Sequence, residues 1–403
     1  MNVQHVYDEG LCMQCGTCEG ICPTGAVRLT WDLRLGYRLS MDDHTCTDCG
    51  RCHDACPGPG LDFSPGAWWR VRNEGAPSRD FLGPWRQLWF GWASDPAVRH
   101  AGASGGVATV LMQAALESGE VEAVVAVRLS AANPLEAEAV VCRTAAEVAA
   151  CRGSKYNVVA VNTALREILE VPGRYALVGL PCHVQGLRLA QRDSRRLRER
   201  VTLTLGIFCG LTNEPRATDV LARQAGLDPG SLSDVRYRGP GWPGSMRLVT
   251  RQGTVRLKDY PDYIDGQFMA LMPPRCRVCP DALAELADVS VGDAWLARFA
   301  GADGVSDVIA RTPAGERLLA AAAERLTLLP AEPQEMIASQ DETRGAKRDV
   351  LRGRLWLRSL TRRPLPDYPG LDVAASARDR VRGATDMAKQ RLFRFLVERR
   401  YPA

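Results

Sequence analysis

The chain has 403 residues, which is long for a single hydrophobic core, so we expect two or three domains. Its composition, with 46% apolar and 24% charged residues, is that of an ordinary globular protein, and a net charge of +4 is too small to indicate nucleic acid as a partner. No apolar run is long enough to cross a bilayer, and no signal peptide precedes the first motif. We therefore expect a cytoplasmic protein with at most peripheral membrane association.

The first sixty residues contain one cysteine spacing twice. It reads Cys12-x-x-Cys15-x-x-Cys18-x-x-x-Cys22-Pro23, and then Cys46-x-x-Cys49-x-x-Cys52-x-x-x-Cys56-Pro57. This is the run of bacterial two-cluster ferredoxins, in which the fourth cysteine of each run binds the other cluster. Zinc favours two separated pairs, and disulfides need an oxidising compartment. We predict a two-[4Fe–4S] domain at residues 1–64, whose ligand sets are Cys12, Cys15, Cys18 and Cys56, and Cys46, Cys49, Cys52 and Cys22.

Residues 65–98 are rich in tryptophan, including Trp68 and Trp69, and we interpret them as a linker that packs onto both neighbouring domains. A second region opens with Gly102-Ala103-Ser104-Gly105-Gly106 before a predicted helix at 107–118. Ser104 suits an N-cap, and the two glycines could let a phosphate approach the helix start. A buried strand is predicted at 121–127.

Two further predicted strands, at 175–180 and 201–208, run into Cys182 and Cys209. Ligands collect at the carboxyl ends of strands in open α/β sheets. The pair Cys276-x-x-Cys279 alone could bind zinc or form a redox disulfide. Together the four cysteines match the number that one cubane needs, so we predict a third [4Fe–4S] cluster, with separate buried thiols as the alternative.

Beyond residue 330 the chain becomes basic, and a short amphipathic helix is predicted at 387–400. We interpret residues 331–403 as a basic helical extension. It could pack on the body as a solvated helix, or dock onto an acidic partner or a membrane surface.

The chain lacks the Gly-x-Gly-x-x-Gly fingerprint and the phosphate-loop lysine motif, so a standard Rossmann site is not supported. Residues 85–330 instead resemble the family of coenzyme F420 hydrogenase/dehydrogenase beta subunits. The matching stretches are Gly102 to Val107, Gly153-Ser154-Lys155-Tyr156, Val178 to Cys182, and Cys276 to Cys279 with Ser290 to Asp293. With the ferredoxin domain in front, the layout resembles the input subunit of F420H2 dehydrogenase. It is also similar to 7-hydroxymethyl chlorophyll a reductase and divinyl chlorophyllide vinyl reductase.

The resemblance implies an α+β protein in which a ferredoxin-like module precedes a mixed α/β, non-Rossmann FAD-binding domain at residues 99–330. It implies that the domain carries its own [4Fe–4S] cluster, and that Lys155 is a catalytic residue at the flavin. His183 stands where the family more often has Gln. The residues implied to bind the cofactor are Ser104, Gly105, Gly106, Gly153, Ser154, Lys155, Tyr156, Gly179, Gly292 and Asp293.

A flavin converts between the electron pairs of organic donors and the single electrons of clusters. We therefore expect an oxidoreductase that oxidises reduced F420 at FAD and passes electrons through its clusters to a redox partner protein. One alternative is a ferredoxin-dependent reductase of an organic substrate, such as a chlorophyllide vinyl group. The other is a non-catalytic electron-wiring subunit.

Overall fold

The computed structural model describes residues 2–64, 67, 81–239, 241–361 and 363–402. Its strands are β1 Val27–Asp32, β2 Gly36–Met41, β3 Gln87–Ala93, β4 Ala123–Leu129, β5 Ala137–Cys142, β6 Tyr175–Gly179, β7 Val201–Ile207, β8 Leu232–Arg236, β9 Ser245–Thr250, β10 Val255–Asp259, β11 Val289–Asp293, β12 Ser306–Ala310 and β13 Leu326–Pro330. Its α-helices are α1 Val3–Asp8, α2 Thr17–Gly20, α3 Arg51–Asp54, α4 Pro96–Ala101, α5 Val107–Glu117, α6 Ala145–Ala150, α7 Leu165–Glu170, α8 Pro181–Asp193, α9 Arg195–Arg200, α10 Arg216–Gln224, α11 Gly266–Ala270, α12 Pro313–Ala321, α13 Pro333–Ser339, α14 Asp341–Arg344, α15 Leu351–Leu360 and α16 Ala377–Arg400.

An eight-stranded mixed sheet forms the centre of the molecule, in the order β13-β3-β12-β11-β7-β6-β4-β5. The four inner strands β11, β7, β6 and β4 are parallel, and antiparallel strands flank them on both sides. The parallel strands are nearly continuous apolar runs because helices cover both of their faces. Their carboxyl ends therefore meet at one edge, where a ligand site is expected in an open α/β sheet.

Two apolar clusters cover the two faces of this sheet. On one face, α5 contributes Val107, Val110 and Leu111, which pack with residues of β4, β7 and β11. On the other, Ile168 of α7 and Leu187 of α8 pack with inward-facing residues of β4 and β6. Each helix thus buries the apolar stripe that its 3.6-residue periodicity predicts.

The N-terminal module consists of the β1–β2 hairpin, three short helices and the two cysteine loops, and it packs directly on the second region. The backbone N–H of Asn162 donates to the Cys15 carbonyl at 2.9 Å, and its side-chain amide donates to the Thr17 hydroxyl at 2.8 Å. A Cβ at Gly20 would lie 2.0 Å from the Asn162 carbonyl oxygen. The first cysteine loop is therefore held against the body by close backbone packing and by the Asn162 side chain.

The linker predicted for residues 65–98 is wrong for its last part, because β3 lies inside the main sheet. It pairs with β12 and β13, which come more than two hundred positions later in the chain. Trp89 and Trp92 belong to this strand and pack against the apolar clusters on its two faces. Trp68 and Trp69 lie outside the described residues.

The basic extension is helical, as predicted, and it packs on the body, which is the first of the two interpretations given above. The helix predicted at 387–400 is the end of the longer α16, which contacts α15 and α11. Its Arg394 pairs with the buried Glu214 at 3.1 Å. Among the helices of the described ranges, none is both long enough and apolar enough to cross a bilayer.

Candidate functional site

The cysteines of the N-terminal module lie in two neighbouring groups. Burial raises the pKa of the Cys18 thiol well above its usual value, and the nearby thiolates of Cys12, Cys15 and Cys56 raise it further. A small cavity of about 20 Å³ is lined by the other set, Cys22, Cys46, Cys49 and Cys52. Each group therefore combines three cysteines of one run with the fourth of the other, and their role as iron ligands stays a prediction.

A third group of cysteines lies at the carboxyl edge of the main sheet. β6 and β7 are parallel neighbours, so Cys182 at the start of α8 and Cys209 after β7 come to the same edge. Burial raises the pKa of Cys182 well above its usual value, with further contributions from the thiolates of Cys15, Cys276, Cys209 and Cys279. The side-chain amide of Asn162 donates to the Thr17 hydroxyl and to the His183 carbonyl, both at 2.8 Å, so the first N-terminal cysteine loop lies against the turn that carries Cys182.

The spacing of these thiols differs from that of ligands to a single ion. Within the described ranges, no three side chains of the His, Cys, Asp or Glu type are close enough to hold one metal ion. Cubane ligands bind at the corners of an inorganic core and so stand further apart than the ligands of one ion.

Two buried cations flank the third group, and neither was predicted. Arg275, 2% exposed, precedes Cys276 and donates to the Gly58 carbonyl at 2.8 Å. Lys347, 4% exposed, lies in the π-helical turn between α14 and α15, where its ammonium is 3.5 Å from the Cys276 carbonyl. Positive charge beside several thiolates stabilises their deprotonated, metal-binding form.

A cavity of about 360 Å³ opens at the carboxyl ends of the parallel strands. Such a volume lies within the ordinary range for small-molecule sites. All the predicted cofactor-binding residues except Gly105 line its wall, namely Ser104, Gly106, Gly153, Ser154, Lys155, Tyr156, Gly179, Gly292 and Asp293. The structure therefore brings together stretches that are far apart in sequence.

The Ser-Gly-Gly stretch is shaped mainly by packing. Gly105 and Gly106 have φ values of +79° and +78°, which disfavour other residues. A Cβ at Gly105 would lie 3.1 Å from the Gly304 carbonyl oxygen, and one at Gly106 would lie 2.9 Å from that of Val98. The Ser104 hydroxyl donates to the Gly292 carbonyl at 3.2 Å and does not cap α5. These residues thus join the start of α5 to the end of β11.

Lys155 lines the cavity, and its ammonium also holds its own loop. It donates to the carbonyl oxygens of Cys151, Arg152 and Gly153, just after α6. A cation at a helix C-terminus complements the helix dipole. Burial lowers the pKa of Lys155 to about 8, although the Cys151 thiolate opposes this shift.

Charged and aromatic side chains that we did not predict complete the cavity wall. Arg238 forms a bidentate ion pair with Asp293, at 2.7 and 2.9 Å, and its guanidinium lies 4.5 Å from the centre of the Tyr260 ring. The Trp295 ring stacks on the rings of Tyr260 and Trp242, with ring centres 5.4 Å and 5.0 Å apart. Of these residues, Asp293 was predicted and Trp295 lies two positions after it, whereas Arg238, Trp242 and Tyr260 had no nearby sequence signal.

The cavity and the third cysteine group share one structural element. Gly179, Leu180 and His183 line the cavity around the start of α8, and Cys182 lies among them in sequence. His183 accepts from the Leu180 N–H and donates to the Val159 carbonyl, both at 2.9 Å. Burial lowers its pKa to about 4, so the imidazole is neutral and fixes this turn.

Family models match most of the chain. The 4Fe-4S dicluster domain matches residues 11–60 and confirms the predicted ferredoxin-like module. The N-terminal and C-terminal models of the coenzyme F420 hydrogenase/dehydrogenase beta subunit match residues 88–166 and 173–335.

Curated relatives agree with these matches. The chain is 26% identical to a subunit of the F420H2 dehydrogenase of Methanosarcina mazei, over 78% of this chain and 83% of the relative. It is 28% identical to the coenzyme F420 hydrogenase beta subunit of Methanothermobacter thermautotrophicus, over 60% and 83%.

The fold is also found in a solved structure. A chain of the F420-reducing [NiFe] hydrogenase complex from Methanosarcina barkeri aligns with a TM-score of 0.55 and 22% identity, over 69% of this chain and 94% of the other. This chain thus belongs to the family of coenzyme F420 hydrogenase/dehydrogenase beta subunits, with a 4Fe-4S dicluster domain at its N-terminus.

Proposed function

We propose that this protein is an iron–sulfur flavoprotein that passes electrons between reduced coenzyme F420, oxidised at FAD in the cavity, and a redox partner protein. One observation carries the proposal: the turn that lines the cavity also places Cys182 among the third group of cysteines. The same turn is joined to the first N-terminal cysteine loop, because the Asn162 side-chain amide bonds both Thr17 and the His183 carbonyl. With a flavin in the cavity and clusters on the cysteine groups, redox sites would follow one another from the cavity to the N-terminal module.

The cavity fits a flavin by its chemistry. Val107, Met112 and Ile207 supply apolar wall for a ring system, while the start of α5 and the ammonium of Lys155 provide positive potential for phosphates or for an anionic reduced ring. FAD would supply the conversion of one electron pair into two single electrons. The protein's own part is to hold the ring near Cys182 and exclude water from it.

The aromatic stack is the proposed contact for the organic substrate. Tyr260 and Trp295 line the cavity, and Trp295 is the more exposed of the two, at 36%. Flat aromatic side chains favour offset stacking with a planar ring such as a deazaflavin. The Arg238–Asp293 pair fixes the position of this surface, since Arg238 lies against both rings.

The third cluster is proposed on Cys182, Cys209, Cys276 and Cys279. Four neighbouring thiolates, two of them buried and two half-buried, would repel one another without metal, and the cations of Lys347 and Arg275 favour an anionic cluster. The cluster would relay single electrons between the flavin and the first N-terminal cluster.

Anaerobic reconstitution followed by rapid mixing tests this function. We expect bound FAD, about twelve irons per chain, and flavin bleaching on mixing with reduced F420, followed by cluster reduction. Reduction by ferredoxin but not by reduced F420 would favour the organic-substrate reductase. Protein that keeps its iron but binds no flavin would favour the electron-wiring subunit.

A further inference from the structure

Two cysteines that belong to none of the three groups lie side by side. Cys142 is the last residue of β5 and is 1% exposed, and Cys151 follows α6. Their Sγ atoms are 3.7 Å apart. A disulfide requires about 2.05 Å, so the two sulfurs would need to approach by roughly 1.7 Å.

The chain just after Cys151 is loosely packed, although the Lys155 ammonium bonds its carbonyl oxygens. Gly153 has a φ of +89°, and a Cβ built on it would meet no heavy atom within 4 Å. The other side of the pair is anchored, because Cys142 pairs with Val124 in the sheet and packs in the apolar cluster under α5. Because the backbone of Cys151 is bonded to Lys155 and Val148, the approach to Cys142 falls mainly to the Cys151 side chain.

The two thiols differ in access and charge. Cys151 lines the proposed flavin cavity, whereas Cys142 lies behind it. The hydrogen bond from Cys142, together with Lys155 and Arg128, lowers the pKa of Cys151 against the effects of burial and Glu147. The same hydrogen bond, and then burial, raise the pKa of Cys142. An accessible thiolate beside a buried thiol is the usual arrangement of a redox-active pair.

We propose that Cys142 and Cys151 form a redox-active dithiol–disulfide pair that exchanges two electrons with the cavity's flavin, and this step rests on the proposed function. When the S–S bond forms, the Cys151 thiolate and the Cys142 thiol together lose two electrons and one proton. The oxidised flavin takes up the same two electrons and one proton. In reverse, the reduced flavin opens the disulfide. The pair would store one electron pair beside the chain of one-electron carriers.

The first arm of the test follows the disulfide itself. Reconstituted protein is equilibrated anaerobically with mixtures of glutathione and glutathione disulfide, its free thiols are trapped with N-ethylmaleimide, and its tryptic peptides are analysed by mass spectrometry. We expect the peptides carrying Cys142 and Cys151 to be joined at oxidising poise and separate at reducing poise. Their failure to join at any poise would overturn the proposal and leave the proposed function intact.

The second arm measures coupling to the flavin by titration with dithionite. The oxidised wild type should consume about two more electrons per chain than the double variant Cys142→Ser/Cys151→Ser. Cys142→Ala/Cys151→Ala serves as a second variant in case a buried hydroxyl disturbs folding, and iron and flavin contents must match the wild type. Equal consumption would overturn the coupling. Protein without flavin would overturn both the coupling and the proposed function, while the glutathione arm would still report the disulfide.

Discussion

The Arg275 guanidinium donates a hydrogen bond of 2.8 Å to the carbonyl oxygen of Gly58. Gly58 lies two residues after Cys56, and Arg275 immediately precedes Cys276, so this contact joins the loops of two cysteine groups. Another nitrogen of the same guanidinium donates to the Val278 carbonyl at 3.1 Å. The module of N-terminal cysteines is thus fixed to the third group by a buried, multiply bonded side chain.

Replacing Arg275 should weaken this junction. We expect Arg275→Met to lower the free energy of unfolding by about 3 kcal/mol, because buried carbonyl oxygens lose a charged donor. Arg275→Lys should lose less, since it keeps the charge but cannot reach both carbonyls. Urea unfolding measures the first effect, and rapid-mixing spectroscopy should show slower electron transfer from flavin to the N-terminal clusters. Unchanged stability and transfer rates in both variants would contradict this role.

The parts of the site that the sequence could predict are those with local spacing. The doubled cysteine run identified the ferredoxin-like module, and strand patterns placed Cys182 and Cys209 at one sheet edge because parallel neighbours end together. The glycine-rich stretches likewise gathered at the cavity, although Gly105 and Gly106 are required by packing against Val98 and Gly304.

The parts that could not be predicted depend on partners far along the chain. The tryptophans of β3 did not identify it as a strand of the main sheet. It lies inside that sheet because it pairs with β12 and β13, which come much later in the chain. In the sequence, Lys347 is one of several basic residues in the C-terminal extension. Only the packing of the turn between α14 and α15 brings it next to Cys276. Arg238 belongs to no recognisable sequence motif, so its ion pair with Asp293 could not be predicted before the fold was known.

The proposed third cluster makes a prediction about iron content. Cys276→Ser/Cys279→Ser should remove about four of about twelve irons and interrupt electron flow from the flavin to the outer clusters. Flavin content should persist, because neither residue lines the cavity. The matched control is Cys142→Ser, which should keep all of the iron. Iron analysis of anaerobically reconstituted protein tests this prediction. A wild-type chain that binds only about eight irons has no third cluster.

Lys155 predicts a pH-dependent affinity for flavin. Burial lowers its pKa to about 8, so the ammonium is charged below that pH and loses its charge as the pH rises through it. Flavin retention should therefore fall above about pH 8 in the wild type, as measured by fluorescence of released flavin. Lys155→Arg should remain charged and lose this dependence, whereas Lys155→Ala should retain flavin poorly at every pH with its iron content unchanged. Full flavin retention by Lys155→Ala would leave the lysine with only its loop contacts.

Trp295 predicts a separation of substrate binding from flavin binding. Trp295→Ala should raise KM for reduced F420 by about tenfold, because stacking on one aromatic side chain is worth about 1 kcal/mol or slightly more. Trp295→Phe should restore most of the affinity. Steady-state kinetics at fixed flavin content measure both values. An unchanged KM in Trp295→Ala would exclude the aromatic stack as the substrate contact.

The packing of the two C-terminal helices indicates that the basic extension is part of the fold. α15 and α16 cross where Gly353 faces Gly383, and a Cβ at Gly383 would lie 2.4 Å from the Gly353 carbonyl carbon. Since backbone atoms cannot yield as a side chain can, Gly383→Ala should push the helices apart and destabilise the protein by about 1–3 kcal/mol. The exposed neighbour Ala384 offers the matched control, Ala384→Ser, which should change stability little.

Truncation after residue 340 extends the same argument. It removes Lys347 from beside Cys276, and Arg394 from the buried Glu214. An uncompensated buried carboxylate is strongly destabilising, so we expect the truncated chain to lose flavin reduction and partner coupling together. Absorbance during reduction by a small donor, and reduction of the partner, measure the two activities. If the truncated protein is still reduced normally but no longer reduces the partner, the extension serves only for docking. Electron transfer from the full chain to the partner should then weaken as the salt concentration rises.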